Sequence, residues 1–224
     1  KLDYADKDWI PALNGIWFFQ QGNTIAPYSE LVVNVHGAID NTPTYSNSIN
    51  YANTAYYCMY DMEATSSDGG KYNNTRYYPS PADVIATNHY LKAVKYGKSN
   101  AWPMSQTSPA VILFRTEDIT PKQFGENPDN IIYPTGNEGN IVYACLKMPR
   151  RWVIDAMEVY NATALAKCKK RLTPDLDNGY ATLTGGYGHS LIRKVEKTVD
   201  GHAIYQDTNN STNDFYEADN CSLR

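Results

Sequence analysis

The segment RWVIDAMEVY, residues 151–160, carries the pattern that decides the fold class. Its side chains alternate between two faces, with Trp152, Ile154, Ala156 and Glu158 on one and Val153, Asp155, Met157 and Val159 on the other. A period of two residues is the signature of a β-strand. Whichever face is buried takes an acidic residue with it, so the pattern also predicts a paired carboxylate near the core.

Short apolar runs of the same kind recur on both sides of this segment, separated by Gly, Pro, Asn and Asp. They are rich in Val, Ile and Tyr, and no regular helical segments alternate with them. These runs are GIWFFQQ (15–21), ELVVNVH (30–36), TAYYCMY (54–60), YLKAVKY (90–96), AVILFRT (110–116), NIVYACLK (140–147), GYATLT (179–184), SLIRKVE (190–196) and HAIYQD (202–207). Their density predicts an all-β sandwich or barrel rather than a parallel α/β sheet.

Helical signals are few and short. Proline at a first helical position predicts short helices after Ser80 and after Thr120, and good helix formers predict another over ATALAKCKK (162–170). The polar segment 61–81 is predicted to be a long loop. Because no internal repeat and no linker divides the chain, residues 1–224 are predicted to form one domain. The start at Lys1, without Met, indicates the C-terminal part of a longer precursor.

Composition excludes several classes of function. The net charge is −4 and the one basic cluster is KCKKR (167–171), so nucleic-acid binding has little electrostatic support. No apolar run approaches the roughly 18 residues of a membrane-spanning helix. The four cysteines form no CxxC pair, so neither a zinc site nor any other cofactor is expected, and their disulfide pairing stays open.

The run DTNNSTND (207–214) has two interpretations. An EF-hand loop needs Gly at position six and Glu at position twelve, where this chain has Thr212 and Ala218. Side chains of Asn, Asp, Ser and Thr commonly bond nearby backbone groups, which favours a turn that ties its own backbone together. The alternative is a calcium-dependent adhesion module whose ligands would be Asp207, Asn209 and Asp214.

Aromatic residues in or beside predicted loops form a candidate ligand-binding surface. Aromatic rings can stack on sugars, and Asn and Asp are plentiful beside them. The candidates are Tyr56, Tyr57, Tyr77, Tyr78 and Trp102. The competing interpretation is that these rings cover the ends of a sandwich.

A catalytic alternative rests on acidic pairs. Glycoside hydrolases use two carboxylates about 5–10 Å apart. The candidate pairs are Asp155 with Glu158, and Asp61 with Glu63. The sequence shows these carboxylates but not their convergence, so the chain is predicted not to be an enzyme.

Several segments together resemble known families. LNGIWFFQQGNTIAPYSELVVNVHGAID (13–40) resembles the opening of a lamin-tail-type domain, whose early strand has only a weak counterpart in KDWIPALNG (7–15). GHSLIRKV (188–195) and DTNNSTNDF (207–215) resemble its closing strand and turn, with Phe215 as core anchor. The middle is similar to the DUF4876 family of Bacteroidetes proteins in NYANTAYYCMYD (50–61), RYYPSPADVI (76–85), LKAVKYGKSNAWPMSQTSPAVILF (91–114) and PRRWVIDAMEVYNA (149–162).

The resemblance implies a fold and a location but no reaction. It implies an immunoglobulin-like, lamin-tail-like β-sandwich with long loops, used for binding or tethering. It also implies an outer-membrane or surface lipoprotein of the cell envelope, held by a lipid anchor outside this chain. The expected partner is a protein or a glycan at the cell surface, and no catalytic residues are carried over from the family.

Overall fold

The computed structural model describes residues 2–13, 15–35, 40–46, 48–59, 61, 87–96, 104–184 and 188–221. Contacts group the chain into two compact units. Unit 1 takes its described residues from Lys1–Asp40, Asn50–Pro103 and Thr116–Trp152, and unit 2 from Asn41–Ile49, Met104–Arg115 and Val153–Arg224. That residues 1–224 form one domain stays a prediction.

Strands dominate the described residues. They are β1 (Trp9–Leu13), β2 (Gly15–Phe18), β3 (Val33–Asn34), β4 (Tyr57–Cys58), β5 (Lys92–Lys95), β6 (Ala110–Phe114), β7 (Ile131–Ile132), β8 (Cys145–Pro149), β9 (Val153–Asn161), β10 (Ala181–Leu183), β11 (Ser190–Arg193), β12 (Val195–Val199), β13 (His202–Tyr205) and β14 (Phe215–Ala218). The helices are α1 (Pro121–Glu126) and α2 (Ser211–Asp214), with 3-10 turns at Thr87–His89, Pro128–Asn130, Ile141–Tyr143, Arg150–Trp152 and Ala162–Lys167. The all-β prediction is confirmed, and the immunoglobulin-like detail stays a prediction.

Of the three predicted helices, one forms as an α-helix and one as a 3-10 helix. The helix after Thr120 forms as α1, where the Thr120 side chain and Gln123 make a reciprocal capping box. The segment predicted as an α-helix over 162–170 is instead a 3-10 helix, kinked at Ala164 (φ −135°, ψ 30°). The helix predicted after Ser80 lies outside the described residues.

Unit 1 is built around β8. This strand pairs antiparallel with β1 on one side and with β7 on the other. Ile10 on β1 lies opposite Met148 on β8, and both are almost fully buried. Cys145 is buried beside them as a free thiol, and this burial raises its pKa to about 11. Two smaller pairs, antiparallel β2–β5 and parallel β3–β4, complete the unit.

Unit 2 is built around β9. This strand pairs antiparallel with β6 and parallel with β10, which gives a three-stranded sheet. Strands β11 and β14 form an antiparallel ribbon. Strands β12 and β13 form a hairpin that turns on Asp200 and Gly201, both at positive φ (50° and 79°), as an Asp-Gly hairpin turn requires.

Among the described residues, none of the helices has the length and apolar character needed to cross a bilayer.

Candidate functional site

A buried acidic pair organises unit 2. Glu158 on β9 is fully buried, where it accepts a hydrogen bond from the Arg171 main-chain N–H (2.6 Å) and pairs with the Lys170 ammonium. The predicted paired carboxylate near the core is thereby confirmed. Asp177, also fully buried, accepts from the main-chain N–H groups of Glu158 (2.9 Å) and Ser211 (2.8 Å). These bonds connect β9 to the first residue of α2.

The acidic pairs suggested for a hydrolase have separate partners. Positions three apart on a strand point to opposite faces, which places Asp155 and Glu158 on different sides of β9. Asp155 pairs with Arg193 (2.7 Å), whereas Glu158 pairs with Lys170. Asp61 accepts a hydrogen bond from the Ala93 main-chain N–H (2.8 Å), and its suggested partner Glu63 lies outside the described residues.

The run 207–214 ties its own backbone together, as its polar side chains predict. Asp214 is buried and accepts from the Thr208 main-chain N–H (2.9 Å) and hydroxyl (2.8 Å) and from the Asn210 main-chain N–H (3.3 Å). The expectation that Phe215 anchors this segment in the core is wrong, because Phe215 is only half-buried under the Arg193 guanidinium. The buried anchors are polar, namely Ser211 and Asp214.

Asp207 and Asn209 are the other two ligands suggested for calcium. Asp207 accepts from the Asn209 main-chain N–H (3.2 Å) and lies 3.9 Å from Arg193. Within the part of the chain that the structure describes, no group of three or more His, Cys, Asp or Glu side chains is arranged to hold a metal ion. The calcium alternative stays a prediction.

The predicted sugar platform is corrected at Tyr57. This residue is buried in unit 1, where its ring stacks on His89 (centroids 4.2 Å apart) and meets the edge of Phe19 (5.3 Å). One face of its ring is therefore covered by His89 within unit 1. Tyr56 is half-buried, and its carbonyl lies 3.2 Å from His89 Nδ1. Tyr77, Tyr78 and Trp102 lie outside the described residues.

A groove of about 260 Å³ lies in unit 2, between β10 and β14. One wall consists of Tyr180 and the first two residues of β10, the other of the first three residues of β14, and one residue each of β11 and α2 completes the lining. The lining residues are Tyr180, Ala181, Thr182, Leu191, Thr212, Phe215, Tyr216 and Glu217. Apolar and hydrogen-bonding groups therefore face the same small space.

The aromatic wall of the groove is Tyr180. Its ring stacks on the buried Tyr160 ring with centroids 4.0 Å apart and an angle of 8° between the planes. Tyr180 is 37% exposed. Stacking on a core residue fixes the orientation of a ring that is still open to solvent.

The acidic wall of the groove is Glu217. Its carboxylate accepts from His189 Nδ1 (2.7 Å), from the Thr184 main-chain N–H (3.0 Å) and from the Thr184 hydroxyl (2.8 Å). The hydrogen bonds from His189 and Thr184 hold the pKa of the Glu217 carboxyl below its ordinary value. Glu217 is therefore an ionised acceptor whose position is fixed by its neighbours.

These carboxyls predict that unit 2 is destabilised by acid. Burial opposes ionisation of Asp214, but bonds from Thr208, Gln206 and Asn210 outweigh it and hold its pKa below the ordinary value. A carboxyl with a lower pKa in the folded state adds stability above its unfolded pKa and loses it as pH falls through the folded pKa. The urea midpoint should therefore fall between pH 5 and pH 3, and fall less in Asp214→Asn. The exposed-site control Glu196→Gln should follow the wild type, and an equal fall in Asp214→Asn would contradict the assignment.

Sequence reasoning did not select the groove residues. Tyr180 and Thr182 lie in the predicted run GYATLT, but the pattern did not distinguish them from the other residues of a strand. Glu217 lies in FYEA, which was not predicted to be a strand. The four residues FYEA have no clear period-two alternation of apolar and polar residues, so no local pattern reveals that β14 lies beside β10.

Comparison with known proteins places the chain in a family. Residues 26–222 match the family described as "Protein of unknown function (DUF4876)". The crystal structure of a DUF4876 family protein from Bacteroides thetaiotaomicron VPI-5482 is similar in fold, with a TM-score of 0.68 and 20% identity. The match covers 96% of this chain and 56% of that one, so the chain spans little more than half of its length. Among curated proteins, no match was found. The lamin-tail detail stays a prediction, and this chain belongs to the DUF4876 family of proteins of unknown function.

Proposed function

We propose that this chain is a non-catalytic binding module that holds a glycan in the groove between β10 and β14. The observation that carries the proposal is the exposed Tyr180 ring beside the fixed, ionised Glu217 carboxylate. A tyrosine ring offers a flat apolar face to the C–H groups of a sugar. A carboxylate has about four acceptor sites, and Glu217 uses three of them for His189 and Thr184, which leaves one for a sugar hydroxyl.

The rigidity of both groups supports binding. Tyr180 is fixed by its stack on Tyr160, and Glu217 is fixed by His189 and Thr184. Side chains that are already ordered lose less conformational entropy when a ligand binds, so more of the contact energy is left as affinity.

The size of the groove supports a small ligand. Pockets for drug-sized molecules span about 300–1,000 Å³. At about 260 Å³ this groove is smaller. It suits one sugar unit, such as the end of a glycan, with the rest of the chain in solvent.

The hydrogen bonds and ion pairs of the acidic residues support a non-catalytic role. Glycoside hydrolysis needs two carboxylates that face the same bond. Asp155 and Glu158 instead pair with Arg193 and Lys170 on opposite faces of β9, and Asp177 accepts from four donors of its own unit. Their acceptor sites already serve the fold.

A glycan array followed by calorimetric titration tests the proposal. Tyr180→Ala should weaken binding of the best glycan by about tenfold, since the loss of one aromatic contact removes about 1 kcal/mol or more. The matched control is Tyr143→Ala, which removes an exposed tyrosine ring (49%) in unit 1. Silence across the array, turnover of a bound glycan, or equal losses in the two variants would overturn the proposal.

A protein partner is the second candidate. Two apolar side chains of β6, Val111 and Leu113, are 45% and 53% exposed, and contiguous exposed apolar groups mark protein contacts. A pull-down from envelope extract, compared with the glycan array, separates the two candidates.

The location is part of the same proposal. The family resemblance supports attachment to the cell envelope through an anchor outside this chain. Fractionation of the cells that make the protein tests this point, and recovery in the cytosolic fraction alone would contradict it.

A further inference from the structure

We infer that the groove recognises an acetamido group, so that its ligand is a glycan ending in an N-acetylated amino sugar. This inference rests on the proposed glycan-binding function and adds the chemical group that the site selects. The observation that carries it is the main chain of Thr182, which is the middle residue of β10 and one of the residues that line the groove.

The pairing of β9 shows which way the main chain of β10 faces. Val159 N–H donates to Pro109 O (3.0 Å) and Asn161 N–H to Thr107 O (2.8 Å), so these two residues face the β6 side. Main-chain groups of successive strand residues point to alternate sides, so Tyr160 between them faces β10. In the parallel register Tyr160 lies beside Thr182, and in such a pair it bonds the residues on either side, Ala181 and Leu183. The N–H and C=O of Thr182 therefore point away from β9.

The main-chain groups of Tyr180 and Thr184, which face the same side as those of Thr182, are hydrogen-bonded to side chains. The Tyr180 N–H donates to Thr212 Oγ1 (3.1 Å), and the same hydroxyl donates to the Tyr180 carbonyl (2.8 Å). At the other end, the Thr184 N–H donates to Glu217. Among the described residues, none supplies such a hydrogen bond to Thr182. Counting only the residues that the structure describes, this edge of β10 is hydrogen-bonded at Tyr180 and Thr184 and open at Thr182.

An opening of one residue does not suit an added strand. A peptide that extends a sheet bonds alternate residues along the edge, and here the positions on both sides of Thr182 are already taken. A single amide group does fit, because its C=O can accept one hydrogen bond from the Thr182 N–H.

The rest of the groove suits the other parts of an N-acetylated sugar. Leu191 and Phe215 give an apolar contact for the acetyl methyl group. Tyr180 faces the sugar ring, and the remaining acceptor site of Glu217 takes one ring hydroxyl. A sugar with a hydroxyl in place of the acetamido group loses both the methyl contact and the amide hydrogen bond.

Two disaccharides that differ in this group test the inference. N,N′-diacetylchitobiose and cellobiose share the same linkage and differ by acetamido against hydroxyl. Calorimetry on the wild type should show at least about fivefold tighter binding of diacetylchitobiose, as expected for one net hydrogen bond. Thr182→Pro removes the N–H that points away from β9, and proline is tolerated at such a position of an edge strand. This variant should bind the two disaccharides equally well. Thr182→Ala keeps the N–H and should retain the preference for diacetylchitobiose.

A second measurement covers the case in which Thr182→Pro does not fold. In two-dimensional N–H spectra of the wild type, the Thr182 amide signal should move with diacetylchitobiose and move far less with cellobiose. Equal affinity for both disaccharides, an unmoved Thr182 signal on binding, or tighter binding of N-acetyl-trialanine than of either sugar would overturn the inference. Equal affinity would leave the proposed glycan function standing, whereas silence of the whole glycan array would remove both.

Discussion

Replacement of Asp177 by alanine should lower the free energy of unfolding by about 3–5 kcal/mol, because four buried hydrogen bonds lose their common acceptor. The carboxylate is fully buried and accepts four hydrogen bonds. Oδ1 accepts from the main-chain N–H groups of Gly179 (2.9 Å) and Ser211 (2.8 Å), and Oδ2 accepts from the Glu158 N–H (2.9 Å) and the Ser211 hydroxyl (2.7 Å). Alanine leaves these donors buried without an acceptor, and each such donor costs about 1–3 kcal/mol.

Urea denaturation measures this effect, and hydrogen exchange locates it. The Glu158, Gly179 and Ser211 amides should exchange faster in Asp177→Ala, because they lose their acceptor. Ser211→Ala removes one of the four donors together with its need for an acceptor, so it should cost about 1 kcal/mol. Asp219→Ala, an exposed acidic residue of the same unit, should change stability by less than about 0.5 kcal/mol. A loss below about 1 kcal/mol in Asp177→Ala would contradict this role.

The strand around Glu158 could be predicted because its pattern is local. Alternation over 151–160 indicated a strand with one carboxylate turned inward, and β9 has Glu158 fully buried. The partner Asp177 could not be predicted in the same way. It lies in the turn-like segment LDNG, where an Asp normally serves its own turn. Here its main contacts include Ser211, 34 residues away, which only the tertiary fold brings close.

Three strands were not predicted, namely β1, the two-residue β7 and β14, and two of them have a clear physical reason. β1 contains Pro11, which lacks an N–H and so weakens a strand prediction. The structure places β1 at the edge of its sheet, where a proline is tolerated. β14 is four residues long and directly follows the polar run that forms α2. Its pairing partner β11 is what stabilises it, and that partner is more than 20 residues away in sequence.

The candidate groove depends on the same kind of distant packing. The sequence suggested an aromatic binding surface in predicted loops, but Tyr57 proved to be a core residue. One face of the Tyr180 ring is covered by Tyr160, which holds the ring in place while Tyr180 stays partly exposed. This contact depends on the parallel pairing of β9 and β10. A parallel pair between segments separated by a long connection has no short-range sequence signal.

Replacement of Gly15 by alanine should destabilise the protein by about 4 kcal/mol, through two additive causes. Gly15 begins β2 with φ +105°, a conformation that costs a residue with a Cβ about 1–3 kcal/mol. An added Cβ would also lie 1.9 Å from the Val94 carbonyl oxygen and 3.1 Å from the Lys95 Cα. These are main-chain atoms of β5, the strand that pairs with β2, so no side-chain rotation relieves the clash. Strand β5 must move, which weakens the pairing of Ile16 with Val94.

Gly22→Ala separates the two causes, because it carries the same kind of backbone strain without the clash. Gly22 has φ +91°, and an added Cβ would have no atom within 4 Å. We therefore expect Gly22→Ala to cost about 1–2 kcal/mol, from the backbone conformation alone. Urea midpoints of the two variants and the wild type give both values. Equal losses of unfolding free energy in the two variants would show that β5 moves aside without cost. The close approach of β2 and β5 at Gly15 would then not contribute to the stability of unit 1.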